Sequence, residues 1–266
     1  MRKILLLMTL ICILAGAKAQ DRVFTYTYQS GVLNKGQKEI EVWSTLSGGR
    51  NNFYRSLEHS LEFEVGLGKK LQTSFYLNYG NSSAVVEENG NQLLNNSTSY
   101  SFSNEWKLKL TDPVADRIGS ALYFEYSLAP TSTAFEGKLI IDKQMGNFTN
   151  AFNLVGEYEI EHAFTPDGNK LRSENKGEFT LELNYGLSCK IKDHLNLGLE
   201  AMSQNRISGS TLENSVLLMG PALSYSTNGF WVNLTCMPQI TNLKDGGLEL
   251  TDHERLQTRL IFSYEF

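Results

Sequence analysis

The stretch that closes the chain is an alternating strand. Leu256, Thr258, Leu260, Phe262, Tyr264 and Phe266 fall on one face, and Gln257, Arg259, Ile261, Ser263 and Glu265 fall on the other. Successive side chains of a strand point to opposite sides, so one face of this element is mainly apolar and the other mainly polar. The same period of two recurs along the whole chain behind an apolar leader. In lipid an open sheet edge leaves backbone groups unsatisfied. Many strands that are apolar outward and polar inward therefore predict an all-β fold, a transmembrane antiparallel up-and-down β-barrel.

The leader supplies an address. Arg2 and Lys3 precede an apolar stretch over 4–17, and Ala17-Lys18-Ala19 offers small residues at cleavage spacing. The expectation is a signal peptide over 1–19, leaving Gln20 first. The apolar stretch is too short to cross a bilayer as a helix, and no run of that kind follows. Cys12 sits within the leader after Ile11 and does not read as a lipidation site. Without Arg2, Lys3 and Lys18 the chain has 21 basic and 29 acidic residues, a formal charge of −8 rather than −5. So acidic a chain is not expected to bind nucleic acid. Cys189 and Cys236 both face lipid by strand parity, which argues against a disulfide framework.

Alternation predicts twelve strands, near 38–46, 56–67, 71–79, 99–110, 118–128, 133–143, 148–160, 176–191, 195–204, 215–226, 230–240 and 254–266. Short turns at 68–70, 112–117, 144–147, 192–194 and 227–229 alternate with longer polar loops at 47–55, 80–98, 161–175, 205–214 and 241–253. Only the loop at 129–132 is short where a long one is expected. Short periplasmic turns, longer external loops and an even strand number belong together, and they place both chain ends in the periplasm. The barrel is assigned to 38–266. Residues 20–37 stand outside the even count, although 23–28 alternate; they read as a periplasmic arm or a segment inside the lumen.

One internal echo occurs. Leu61-Glu62-Phe63-Glu64-Val65-Gly66-Leu67 returns as Leu181-Glu182-Leu183-Asn184-Tyr185-Gly186-Leu187, with Glu and Gly inward both times. Similar hairpins converging on similar residues account for it; an old hairpin duplication is the alternative.

Parity also sorts the faces. Leu61, Phe63, Phe75, Leu77, Phe124, Leu154 and Leu183 point to lipid, and aromatics gather toward strand ends as two girdles. The inward candidates for selectivity are Glu58, Glu62, Glu105, Glu125, Glu157, Glu178 and Glu182 toward the outer mouth. Lys107, Lys109 and Lys190 fall toward the inner end. A wet lumen with acidic groups at its mouth favours cations. In a filled lumen the same groups would pair with Lys138, Arg259 and others as a polar core.

Little else points to chemistry. The histidines are His59, His162, His194 and His253; three are expected near the outer rim beside acids, but none has metal-ligand spacing. Neither a metal nor a cofactor is expected. His59 points outward near the outer end of its strand, a place where a base could serve a lipid hydrolase. Ser60 faces inward and position 61 is Leu, which leaves Ser44 on the adjacent strand as a partner that only the register could supply.

The octet 259–266, with polar Arg259, Tyr264 two before the end and terminal Phe266, resembles the signal read by the outer-membrane barrel assembly machinery; Ile261 stands where that signal has glycine. The mature chain resembles small outer-membrane barrels of Gram-negative bacteria, and the Ala19-Gln20 junction is similar to those of Bacteroidota. The hairpin Glu182, Tyr185-Gly186-Leu187, Asp193-His194-Leu195 is similar to that of uncharacterised porin-like families, including one associated with phenol-degradation operons. The resemblance implies no catalytic or ligand residue. It implies outer-membrane lipid, lipopolysaccharide and the assembly machinery as partners. The expected role is a passive channel for small hydrophilic solutes, cations among them. The alternatives are a closed structural or loop-display barrel and a lipid-modifying enzyme.

Overall fold

The computed structural model describes residues 22–88 and 90–266; the expected leader over 1–19 and residues 20–21 lie outside the described residues. Twelve strands follow one another around a closed antiparallel barrel. They are β1 (Lys38–Gly48), β2 (Tyr54–Gly68), β3 (Leu71–Glu88), β4 (Asn91–Thr111), β5 (Gly119–Leu128) and β6 (Ser132–Met145). The second half is β7 (Phe148–Asp167), β8 (Lys170–Lys192), β9 (Leu195–Ser208), β10 (Thr211–Thr227), β11 (Phe230–Asn242) and β12 (Leu256–Glu265). Each pairs with its neighbour in sequence, and β12 closes on β1 with Val42 opposite Phe262 and Ile40 opposite Tyr264. Closure removes both sheet edges, which is why so polar a backbone can sit in lipid.

The outer surface is a belt of exposed apolar side chains, among them Leu61, Leu77, Phe124, Leu154, Leu199 and Phe262. Nothing among the described residues covers them.

Three segments expected as loops are strands. β3 and β4 stay paired out to Glu88 opposite Asn91, β7 and β8 out to Asp167 opposite Lys170, and β9 and β10 out to Ser208 opposite Thr211. Beyond the membrane both faces of a hairpin meet water, so a ladder no longer needs alternation. Asn91 to Thr98 is exposed on both faces and reads as loop for that reason. Gly90, Gly168 and Gly209 turn these hairpins at positive φ. We call the end bearing them the outer end, and the end of the short turns the inner one.

The largest departure from an open cylinder is inside. Residues 22–33 run through the lumen, and Phe24, Thr25, Thr27 and Ser30 have no exposed surface. They pair with no strand, although 23–28 alternate. Wall side chains satisfy their backbone instead. Glu200 accepts the N–H groups of Thr25 (2.9 Å), Tyr26 (2.8 Å) and Thr27 (2.7 Å). Asn153 accepts from Tyr28 N–H at 2.6 Å and donates to Tyr28 C=O at 2.9 Å. Asn233 donates to Arg22 C=O, and Gln72 accepts from Leu33 N–H. Buried peptide groups need such partners, and a barrel lumen offers no free ladder to give them.

The wall is also shaped for the segment. A Cβ at Gly66 would lie 2.0 Å from the carbonyl oxygen of Asn34, and one at Gly186 would lie 2.8 Å from the Phe24 ring. The inward glycines of the internal echo are thus the places where the segment presses on the wall. Small apolar clusters form around it: Tyr26 with Met202, Val216, Leu218 and Met237, and Tyr28 with Ala121, Tyr123 and Ile140.

Candidate functional site in the barrel lumen

The luminal segment divides the interior into two cavities. The outer one holds about 370 Å³ and the inner one about 220 Å³; Tyr28 lines both. The partition is anchored by Arg22, which is 8% exposed. Its guanidinium sits 4.3 Å from the Tyr28 ring centroid and 4.7 Å from that of Trp43, with Nη1 3.5 Å from Glu41 Oε2. An arginine between two rings and against a carboxylate is well held, because all three contacts act where water is excluded.

Strand stagger arranges the acids in a way that parity alone does not show. In a barrel the pairing row climbs as it crosses tilted strands. One such row runs Glu265, Glu39, Glu64, Ser74, Glu105, Glu125, Glu136, Glu157, Thr180 and Arg206, each directly opposite the next. Seven of its members are glutamates, so carboxylates climb the wall from the inner end to the outer cavity. Like charges directly opposite one another are destabilising, and the row is relieved only in places. Lys138 pairs with Glu136 at 2.9 Å, and Arg206 pairs with Glu178 at 2.8 Å.

The sequence-derived lumen residues fall into three groups. Glu58, Glu125, Glu157 and Glu182 line the outer cavity. There Glu125 accepts from Ser127 Oγ at 3.2 Å and from the Tyr123 hydroxyl, and Glu182 accepts from Gln204 at 3.0 Å. Glu178, with its Arg206 partner, is nearer the rim and more open. Glu62 and Glu105, expected toward the mouth, are instead sealed at 1% exposure each. Glu105 accepts from the Tyr76 hydroxyl at 2.5 Å.

The lysines also separate. Lys107 is buried and faces the inner cavity. Lys109 pairs with Asp112 at 2.6 Å in the turn after β4. That contact, joined by the N–H groups of Ala115 and Val114, holds the Asp112 carboxyl well below the usual carboxylate range. Lys190 lies half in solvent, 3.6 Å from Asp193.

Arg259, singled out as the polar member of the terminal octet, faces the lumen. Its Nε donates to Thr45 Oγ1 at 2.9 Å, and its guanidinium lies 4.0 Å from the Tyr26 ring centroid. Tyr264 and Phe266 are exposed on the outside, their rings stacked at 6.4 Å. Phe266 N–H donates to Lys38 C=O at 2.9 Å across the closing seam.

Sequence reasoning missed Arg22, Glu39, Glu41 and Glu200 as lumen residues, and left Glu64, inward in the internal echo, out of the selectivity set. Glu39 and Glu41 share the inward parity of Trp43 and Thr45, and Glu64 that of Glu62, so the signal was present. Glu200 has inward parity too, opposite to Leu197 and Leu199, but nothing local marks the segment it grips.

On the lipid side the register brings Ser44 opposite His59, with Oγ 2.9 Å from Nδ1. Both side chains are half-buried. His253 is buried in the loop between β11 and β12, bonded to Asn214 at 3.0 Å. Loss of hydration lowers its pKa below the ordinary histidine value. Cys189 and Cys236 are free thiols.

Comparison with known proteins agrees with this architecture. An outer-membrane channel of Pseudomonas putida F1 superposes with a TM-score of 0.59 at 10% identity, covering 92% of this chain and all of that one. The translocator domain of the autotransporter NalP from Neisseria meningitidis gives 0.58 at 11% identity, covering 89% of this chain and 91% of that one. The NanC porin gives 0.53 at 9% identity over 85% and 98%. At such identities the likeness is one of fold: a barrel of the outer-membrane type. No curated protein matches the sequence. The chain belongs to the family of unknown function DUF6662, whose profile matches residues 16–266.

Proposed function

We propose that this member of the family is an outer-membrane channel for small hydrophilic solutes, cations above all, closed by its own luminal segment. The observation that carries the reading is the row of seven glutamates climbing the wall from Glu265 to Glu157. A wall of one sign in a low-dielectric tube concentrates ions of the other sign. The outer cavity, lined by Glu58, Glu125, Glu157 and Glu182, receives the solute. Passage requires the segment around Arg22 and Tyr28 to move, because it separates the two cavities. Channels and porins of other bacteria share the fold, which supports the reading without naming a solute. Outer-membrane lipid and lipopolysaccharide would cover the apolar belt, and Tyr264 and Phe266 would present the strand read by the assembly machinery.

The test is conductance in a planar bilayer under a salt gradient, comparing the native-sequence barrel with one lacking residues 22–33. The native barrel should open rarely, and the truncated one should conduct steadily with a cation-selective reversal potential. Anion selectivity refutes the cation preference; silence from truncated protein shown to be folded and inserted refutes the channel and leaves a closed structural barrel.

A second reading rests on Ser44 and His59. Their 2.9 Å contact on the lipid face is a nucleophile beside a base. It would serve ester hydrolysis, with His59 taking the hydroxyl proton as Ser44 Oγ attacks an acyl carbonyl and returning it to the departing alcohol; water, deprotonated by His59, would then attack the acyl-serine, release the acid and restore the hydroxyl. Covalent labelling by a lipophilic sulfonyl fluoride that is abolished by Ser44→Ala supports it; an unlabelled native barrel removes it.

A further inference from the structure

Four glutamates form a square on the inner half of the wall where β1 meets β2. Glu39 lies directly opposite Glu64, and Glu41 directly opposite Glu62. All four are at most 8% exposed. Two cations reach this nest: Arg22, 3.5 Å from Glu41, and Lys107, which faces the same inner cavity. Glu105 and Asp142 lie close by and draw on the same Lys107 charge. Isolated buried carboxylates cost far more than pairing at a distance returns. The square is short of positive charge.

The oxygens are arranged as ligands would be. One carboxylate oxygen each from Glu39, Glu41 and Glu64 lies within 4.8 Å of the others. A Ca²⁺ ion with oxygens at about 2.4 Å places opposing ligands about 4.8 Å apart. Two of the three carboxylates are held in place from the other side. Trp231 Nε1 donates to Glu39 Oε1 at 2.7 Å, and Trp43 Nε1 donates to Glu41 Oε2 at 2.6 Å. Each keeps its second oxygen for another partner. Oriented ligands of this kind lower the cost of gathering like charges.

An independent observation points to a missing partner. Glu62, at 1% exposure, receives no hydrogen bond from any N–H or hydroxyl among the described residues; its carboxyl meets that of Glu64, so two buried acids are left against each other. Buried acceptors left in that condition are rare in native proteins. Glu62 stands beside Glu64 on its own strand and across from Glu41, so its charge bears on the same point.

We propose that Glu39, Glu41 and Glu64 hold a hard divalent cation of the Ca²⁺ class, with Glu62 completing its charge balance. The ligand set is all oxygen, which excludes soft or imidazole-seeking metals as the preferred occupant. The inner cavity of about 220 Å³ beside the three carboxylates leaves room for water in the remaining coordination positions. The site is separate from the outer cavity, and the inference does not depend on the barrel conducting.

Trp231 and Trp43 make the site readable, since both indoles bond directly to its ligands. Barrel stripped with a chelator and titrated with Tb³⁺ should show tryptophan-sensitised emission that saturates at one ion per chain and is displaced by Ca²⁺. Glu39→Gln combined with Glu64→Gln should weaken Tb³⁺ binding at least tenfold. Asp167→Asn combined with Glu174→Gln, on the exposed outer hairpin, should leave it unchanged. Absence of sensitised emission, or emission that survives the first pair or disappears with the second, overturns the proposal. If the first pair does not fold, melting of the native-sequence barrel decides: Ca²⁺ should raise its unfolding temperature where the same concentration of K⁺ does not, and equal effects overturn the site.

Discussion

Glu200 accepts the backbone N–H of Tyr26 at 2.8 Å, across 174 residues of sequence. The same carboxylate takes the N–H groups of Thr25 and Thr27 and the hydroxyls of Thr25 and Thr235. One side chain thus satisfies three consecutive peptide groups that no strand could reach. Removing it by Glu200→Ala leaves those donors buried without partners, at about 1–3 kcal/mol each. We expect the segment to leave its seat. A cysteine placed by Thr27→Cys, inert to thiol reagents in the native background, should then react readily; continued protection would show that other contacts hold the segment.

Gly186 tests the same seat by shape. The Phe24 ring lies where a side chain would be, so Gly186→Leu puts the two in one space. The barrel itself should fold, because lumen-facing Leu breaks no ladder. The expected outcome is higher open probability in a bilayer, with a mobility shift on heating that matches the native-sequence barrel. An unaltered conductance trace would mean that the segment reseats around the new side chain.

Selectivity should follow the glutamate row rather than net charge. Glu136 and Glu157 stand directly opposite each other beside the outer cavity, with Lys138 on only one of them. Neutralising both by Gln, in barrel lacking residues 22–33, should move the reversal potential toward zero under a tenfold salt gradient. Neutralising exposed Glu174 and Asp167 on the outer hairpin should not. Equal effects from the two pairs would attribute selectivity to the general field of an acidic protein.

His253 gives the loop between β11 and β12 a pH response. Its ring faces Asn214, with Glu249, Glu254, Arg50 and Arg206 around it, and burial lowers its pKa. The folded group therefore binds its proton less readily than the ordinary value of about 6.5. The closed loop has its full stability above that pH and loses it as pH falls below, because the opened loop takes up the proton first. In nuclear magnetic resonance spectra of micellar protein, amide signals over 249–254 should broaden between pH 6.5 and 5. His253→Gln should abolish that broadening; its persistence would place the response elsewhere.

Much of this molecule could be read from residues in order. Period-two alternation is a local property, and strand number, closure and the inward or outward sense of Glu58, Glu125 and Leu61 follow from it. Hairpin extensions such as Asn91 to Thr98 could not be read that way, since water on both faces removes the alternation that marks a strand. Ser44 and His59 were separately visible as outward residues, yet their contact needed the register between two strands.

The sequence by itself determined the barrel, because the bilayer and the closed ladder act on every strand in the same way. Tertiary structure alone decided what the barrel contains. Residues 23–28 alternate like a strand, and the segment 22–33 carries no signal of a seat, since its partners Glu200, Asn153, Asn233 and Gln72 are scattered around the wall. The climb of the glutamate row from Glu265 to Glu157 is likewise a consequence of stagger, a quantity that exists only once strands are paired and the cylinder is closed.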